Sequence, residues 1–240
     1  MTNKSSDKLF ILKKMNCLLH ISYFKRIILL IFFFFFSTSN ALIPSSFNSQ
    51  KATGADVTAI LNLPVQNRQI ILKSRISEMF DSLKQIIFDS NQSMSIRWRA
   101  VTALRFASPL KSEPLLIKLF EDKSWYMRNA ALLTLKAVNH KQADRYACRS
   151  LNDPALAVRA AAAEILIELK TSTCHDQLWK QVWSPQNFRK QQSLWIRETI
   201  ISGLAKHPQQ RDQQQWMKVL REEKSEPLRR LAASSLSRIN

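Results

Sequence analysis

The reactive side chains of this sequence are few, and two cysteines, Cys148 and Cys174, are the first of them. In an oxidising compartment the two thiols can join as a disulfide. The repeat described below argues against this pairing. A constant 31-residue period places Trp179 level with Cys148 and leaves Cys174 about 7 Å away along the helix axis. The disulfide therefore stands beside its alternative, two partly buried free thiols.

A histidine next to a cysteine is the second reactive feature, since His175 follows Cys174 directly. These residue types can ligate zinc or form a nucleophilic pair. Zinc sites repeat their ligands at spacings such as C-x-x-C or H-x-x-x-H, and neither spacing occurs in the sequence. His140 and His207 fall where predicted helices end, a place where imidazole often meets the last carbonyls. We predict no catalytic residue, no metal and no cofactor.

Five arginines at nearly equal spacing form the third feature. Successive members stand 31, 31, 38 and 32 residues apart: Arg97, Arg128, Arg159, Arg197 and Arg229. A polar or acidic residue stands six positions before each: Asn91, Asp122, Asp153, Gln191 and Glu223. The series would suit an anion-binding ladder. The favoured interpretation is structural: Asp122 and Asp153 pair with arginines along a stack and fix turns and helix ends.

The residues around these arginines follow a helical period. An apolar residue precedes each arginine, and three and seven residues later come small and apolar positions such as Ala131 and Leu135, or Ala162 and Leu166. These offsets mark one face of an α-helix. Five other amphipathic stretches lie between these helices: 76–88, 114–121, 142–151, 177–183 and 213–222. The repeating unit is helix, turn, helix, and two glycines in 240 residues argue against Rossmann and P-loop folds.

Two of the units, residues 122–131 (DKSWYMRNAA) and 153–162 (DPALAVRAAA), resemble the short bacterial form of the HEAT repeat. The same form occurs in the HEAT-like repeats of phycobilin lyases. The resemblance covers residues 75–240 and implies an all-α, right-handed α-solenoid of about five helix pairs. It says almost nothing about function. Residues 42–74 are predicted to be a flexible segment followed by cap helices that cover the first repeat.

The N-terminal 41 residues have the pattern of a secretory signal. Basic residues precede ten consecutive apolar residues at 27–36, and Ser39 and Ala41 suit cleavage before Leu42. The apolar run is too short to span a bilayer comfortably. We predict a cleaved signal peptide and a periplasmic or secreted product, with an uncleaved inner-membrane signal anchor as the alternative.

The fourth repeat is seven residues longer than the 31-residue units, and its extra length falls between its two helices. This insertion carries an apolar and basic group, Trp183, Phe188, Arg189 and Lys190. Insertions in solenoids lie on loops of one face, often the binding face. We predict a binding site there, with a merely longer turn as the alternative. Trp98, Trp125 and Trp195 lie near the starts of second helices and are expected to pack between layers.

Charge points to the class of partner. The chain has a formal net charge of +18, and residues 42–240 keep 30 basic against 17 acidic side chains. Such an excess attracts acidic proteins, anionic lipid head groups and cell-wall polymers. We predict a non-enzymatic protein-binding scaffold whose stacked second helices present a basic concave surface to an acidic partner.

Two enzymes are alternatives. Residues 124–128 (SWYMR) faintly resemble a segment of HEAT-like alkylpurine DNA glycosylases, which implies binding of DNA. We find no counterpart of the catalytic aspartate of that family, and export would separate the protein from DNA. A chromophore lyase is the second enzymatic alternative, and only the repeat resemblance supports it.

Overall fold

The computed structural model describes residues 52–170 and 172–239. The predicted signal peptide, with its cleavage bond between Ala41 and Leu42, lies outside the described residues. The elements, in chain order, are α1 (Gly54–Asn62), α2 (Val65–Phe88), α3 (Met94–Ala103), α4 (Pro109–Leu119), α5 (Trp125–Ala137), α6 (Ala143–Ser150), α7 (Leu156–Leu169), α8 (His175–Trp183), β1 (Phe188–Arg189), β2 (Gln192–Ser193), α9 (Trp195–Leu204), α10 (Gln213–Glu222) and α11 (Glu226–Ile239).

The helices form five consecutive pairs: α2/α3, α4/α5, α6/α7, α8/α9 and α10/α11. Within each pair the first helix packs on the second, and consecutive second helices pack on one another from α3 to α11. This arrangement confirms the all-α fold of stacked helix pairs, while its handedness stays a prediction. Within 52–170 and 172–239, we find no helix that combines the length and the apolar character needed to span a bilayer.

The predicted face of each second helix forms the core between pairs. The residues immediately before the arginines are buried, and so are the residues three positions after them. Ala100, Ala131, Ala162 and Ala232 are all fully enclosed. The side chain of alanine is a single methyl group, so these alanines let neighbouring second helices approach closely.

The N-terminal end of the stack differs from the predicted division at residue 74. Helix α2 continues without a break from Val65 to Phe88, so that boundary falls inside a helix. Pro64 separates α2 from α1, because proline suits the start of a helix but not its interior. Helix α1 packs on α2 and α3, where Val57 and Leu61 are fully buried. Helix α1 therefore covers apolar surface of the first pair.

Candidate functional site

The first four arginines of the series each connect their own helix pair to the turn of the next pair. Arg128 shows the pattern most fully: its Nε and Nη2 donate to the two carboxylate oxygens of Asp153 at 2.6 and 2.7 Å. Its Nη1 donates to the backbone carbonyls of Asp122 and Lys123. The hydrogen bonds to Asp153 raise the pKa of the Arg128 guanidinium. The segment that resembles a DNA glycosylase thus places its arginine in an ion pair inside the stack.

The other members of the series repeat parts of this pattern. Arg97 donates to the hydroxyl of Tyr126 at 2.8 Å and lies 3.7 Å from Asp122. Arg197 pairs with Glu223 at 2.8 Å, and Arg229 donates to the carbonyls of Glu223 and Lys224. The guanidinium groups are therefore occupied within the stack, which favours the structural interpretation over an anion-binding ladder.

Two of the polar residues that stand six positions before an arginine do not bind an arginine of the series as Asp153 does. Asn91 donates its backbone N–H to Asp89 and makes no bond to Arg97, whose Nε donates to the carbonyl of Ile87. Gln191 is exposed at the tip of a hairpin, and Asn187 receives the Arg159 Nε in its stead at 3.0 Å. The insertion in the fourth pair shifts the count by four residues. Burial lowers the pKa of Arg159, which has a neutral amide as its partner.

The insertion folds as a β-hairpin between α8 and α9. Strands β1 and β2 are antiparallel, with Phe188 opposite Ser193 and Arg189 opposite Gln192. Lys190 and Gln191 form the two-residue turn, with φ angles of 47° and 65°. Left-handed backbone at both turn positions is the geometry that matches the twist of a hairpin, and Asn-Gly is its preferred sequence. This hairpin places longer side chains there.

Hydrogen bonds to the third and fourth helix pairs hold the base of the hairpin. Asn187 is completely buried; its Nδ2 donates to the carbonyl of Gln181, and its own carbonyl accepts from the N–H of Leu194. The Arg159 Nη2 donates to the carbonyl of Gln186 at 2.9 Å. These bonds connect the hairpin to the preceding pair.

The predicted binding residues separate into two groups. The aromatic rings of Trp183 and Phe188 are half-buried and lie 5.4 and 4.2 Å from the Arg197 guanidinium. Lys218 of α10 lies 4.4 Å from the Trp183 ring. These rings anchor the hairpin. Arg189 and Lys190 are exposed at its tip.

Comparison with known proteins decides the family. A family profile described as HEAT repeats matches residues 80–168, which cover the C-terminal part of α2, all of α3 to α6 and most of α7. The chain contains HEAT repeats, over residues 80–168. No curated protein matches it. HEAT repeats generally mediate protein interaction or scaffolding.

The HEAT pairs expose tryptophans that were expected to pack between layers. Trp125 and Trp195 are the first residues of α5 and α9, and they are 43% and 50% exposed. Trp98 is half-buried. Counting at 100° per residue places Trp125 and Trp195 more than 100° from the buried face of their helices. A helical wheel drawn from the sequence would therefore have placed both side chains away from the core.

The expected basic surface on stacked second helices does not hold for the third and fourth HEAT pairs. The exposed charged side chains of α7 and α9 are Glu164, Glu168 and Glu198, because Arg159 and Arg197 are buried. Lys136 of α5 is paired with Glu168 at 2.7 Å. The net charge of a sequence does not say where its charges lie. In these two HEAT pairs exposed basic side chains without an ion pair among the described residues lie on the first helices, as Arg145 and Lys180 do, and on the hairpin.

The cysteines lie between the first helices of the third and fourth HEAT pairs. Cys148 of α6 and Cys174, which precedes α8, are joined as a disulfide with their Cα atoms 5.8 Å apart. His175 donates to or accepts from Asp212 at 2.6 Å, and Trp179 donates to the same carboxylate oxygen. In the described residues, no three His, Cys, Asp or Glu side chains are arranged to hold a metal ion.

The strained tip of the hairpin supports a stability prediction. Replacing Gln191 with glycine should raise the free energy of unfolding by about 1 kcal/mol, because a left-handed residue without Cβ loses its steric penalty. The matched control is Gln192→Gly in β2, where extended backbone gives glycine no advantage and the expected change is a loss. Urea unfolding of both variants measures the difference. Equal destabilisation by both would contradict the turn geometry.

Proposed function

We propose that this HEAT-repeat protein is a non-enzymatic scaffold of the periplasm or cell envelope, which binds an acidic protein through the hairpin of its fourth pair. The observation that carries the proposal is the hairpin tip. Arg189 and Lys190 are adjacent and exposed, and no carboxylate of the described residues forms an ion pair with either. Two neighbouring cations on an ordered loop suit a carboxylate-rich surface.

The base of the hairpin supports the same role. Asn187 and the rings around Arg197 fix the strands before any partner arrives, so little conformational freedom remains to be lost on binding. The positive-φ backbone at Lys190 adds to this argument. Backbone strain persists where surrounding structure enforces it, and such sites are frequent in binding loops.

Export is part of the proposal and has a direct test. The basic and apolar N-terminal segment favours cleavage after Ala41, so N-terminal sequencing of the purified envelope protein should give Leu42 first. A chain that keeps its leader and fractionates with the inner membrane supports the signal-anchor alternative. A full-length chain in the cytoplasm contradicts export.

Photo-crosslinking in cells tests the binding site. A photoreactive residue at position 190 should give one predominant adduct with an acidic protein, and mass spectrometry identifies that protein. The matched position is Lys141, an exposed lysine before α6 that lies far from the hairpin in sequence. The same adducts at both positions would contradict a specific site at the hairpin.

Binding of the identified partner then separates the two groups of hairpin residues. Arg189→Ala with Lys190→Ala should weaken partner binding at least tenfold and leave the melting temperature unchanged, since both side chains are exposed. Trp183→Ala should lower the melting temperature, because its ring packs between Arg197 and Lys218. Lys73→Ala with Lys84→Ala on α2 removes the same charge elsewhere and serves as the control.

A further inference from the structure

The turns of the HEAT pairs lie along one continuous edge. We call this surface the loop edge: the turns between first and second helices, together with the first residue of each second helix. Contacts between consecutive turns define it, since Arg97 reaches Asp122, Arg128 reaches Asp153, Arg159 reaches Asn187 and Arg197 reaches Glu223. The hairpin belongs to this edge.

Large apolar side chains recur along the loop edge. Helices α3, α5, α7 and α9 begin at Met94, Trp125, Leu156 and Trp195. Three of the four are exposed, while Leu156 is half-buried between them. Helix starts usually favour polar residues, which satisfy free backbone N–H groups. Exposed tryptophans at this position are typical of protein-binding surfaces rather than of helix capping.

Free positive charge accompanies these apolar residues. Lys123, Arg189, Lys190 and Lys224 are exposed on the loop edge, and none of them forms an ion pair within residues 52–170 and 172–239. The carboxylates of Asp122, Asp153 and Glu223 are engaged by the arginine series. Glu226 is bound by Arg229 and Arg230, which lower its pKa. Two exposed acids interrupt this pattern: Glu121, which is paired with Arg149, and Glu198 in the first turn of α9.

We infer that the loop edge binds an extended acidic segment of a partner protein, with Trp125 and Trp195 as the apolar anchor points. The inference rests on the proposed function and extends its binding site from the hairpin to three HEAT pairs. Packed helices lie about 10 Å apart, so two steps along the stack from α5 to α9 cover about 20 Å. An extended chain rises about 3.3 Å per residue, and apolar residues about six positions apart therefore reach both tryptophans.

An anionic membrane is the other surface that tryptophan and lysine together can bind. One observation favours a peptide. Leu156 is half-buried between exposed tryptophans, so the middle of the edge offers less apolar surface to a flat bilayer than its two ends do.

Synthetic peptides test the spacing. The first probe is a fluorescent 12-residue peptide of Asp, Glu and Ser with two Phe residues six positions apart. The second has the same composition with its Phe residues two positions apart. Fluorescence anisotropy should show the first binding about tenfold more tightly to the full protein. Equal affinity for both peptides, or no saturable binding of the first, would overturn the inference. Binding only to phosphatidylglycerol vesicles would overturn it in favour of a membrane.

Single variants separate this inference from the proposed function. Trp125→Ala and Trp195→Ala should each weaken binding of the first peptide about tenfold and reduce its advantage over the second. Leu110→Ala removes a 91% exposed side chain at the start of α4 and should change nothing. If the double variant Arg189→Ala with Lys190→Ala is the only one that loses binding, the hairpin site is supported and the extended site is refuted. No loss in any variant would refute both.

Discussion

Replacing Arg197 with alanine is expected to lower the free energy of unfolding by about 3 kcal/mol, the largest effect expected for any arginine of the series. Arg197 is 3% exposed, and its Nη2 lies 2.8 Å from Glu223, which is equally enclosed. Removing one partner of a buried ion pair leaves the other charge without compensation. The carbonyl of Val182 also loses the donor that now lies 2.5 Å away.

The anchoring of the hairpin depends on the same guanidinium. Phe188 and Trp183 pack against Arg197, so its loss frees both rings as well as Glu223. We expect the hairpin of the Arg197→Ala variant to exchange its amide hydrogens faster than the rest of the chain, because its base would open locally. Hydrogen exchange followed by mass spectrometry reports this change peptide by peptide.

Two further variants make the measurement specific. Arg229→Ala removes an arginine of the same series whose side chain is 36% exposed, and it should cost about 1 kcal/mol or less. Adding Glu223→Gln to Arg197→Ala should restore part of the stability, since the stranded charge disappears. Chemical denaturation gives all three values. A loss in Arg197→Ala that Glu223→Gln deepens would show that the buried charge is not the cause.

The sequence predicted the stack because its signal is repeated and local. An arginine with apolar residues at fixed offsets defines one helix face, and five copies at nearly one spacing define neighbouring helices. Burial of Ala131 and Ala162 follows from those offsets. The pairing of Arg128 with Asp153 follows the same rule, since both belong to units of the constant length.

Where the spacing changes, the sequence no longer fixes the contacts. Counting six residues back from Arg197 gives Gln191, whereas a two-residue β-turn takes up the added length and moves Asn187 into the partner position. The same assumption of a constant period placed Trp179 beside Cys148. The structure instead brings Cys174, the residue before α8, to that position. The inserted residues follow α8 and do not account for this difference.

Two cross-links connect the first helices of the third, fourth and fifth pairs. Cys148 joins α6 to the start of α8, and the next residue, His175, contacts Asp212 at the start of α10. The disulfide and the buried hydrogen bond between His175 and Asp212 thus connect three consecutive first helices. Second helices pack through small residues at fixed offsets. The contact between His175 and Asp212, by contrast, spans the longer fourth unit.

Reducing the bond between Cys148 and Cys174 is expected to lower the free energy of unfolding by about 3 kcal/mol. The two residues are separated by 26 positions, and closing a loop of this size removes conformational freedom from the unfolded chain. Thermal unfolding with and without dithiothreitol measures the effect. A domain of this size would lose several degrees in melting temperature.

The control is the double variant Cys148→Ala with Cys174→Ala, which should melt at the temperature of the reduced protein and ignore dithiothreitol. Both sulfur positions are buried, so alanine is preferred to serine because it adds no buried hydroxyl. Thiol titration of the unfolded, unreduced protein that begins at Leu42 should find no free cysteine, since Cys17 lies before that residue. Two titratable thiols, with a melting temperature that reductant leaves unchanged, would support the alternative of free cysteines. Because the disulfide holds α6 against α8, its loss should also speed hydrogen exchange in α8 before it affects α3 or α5.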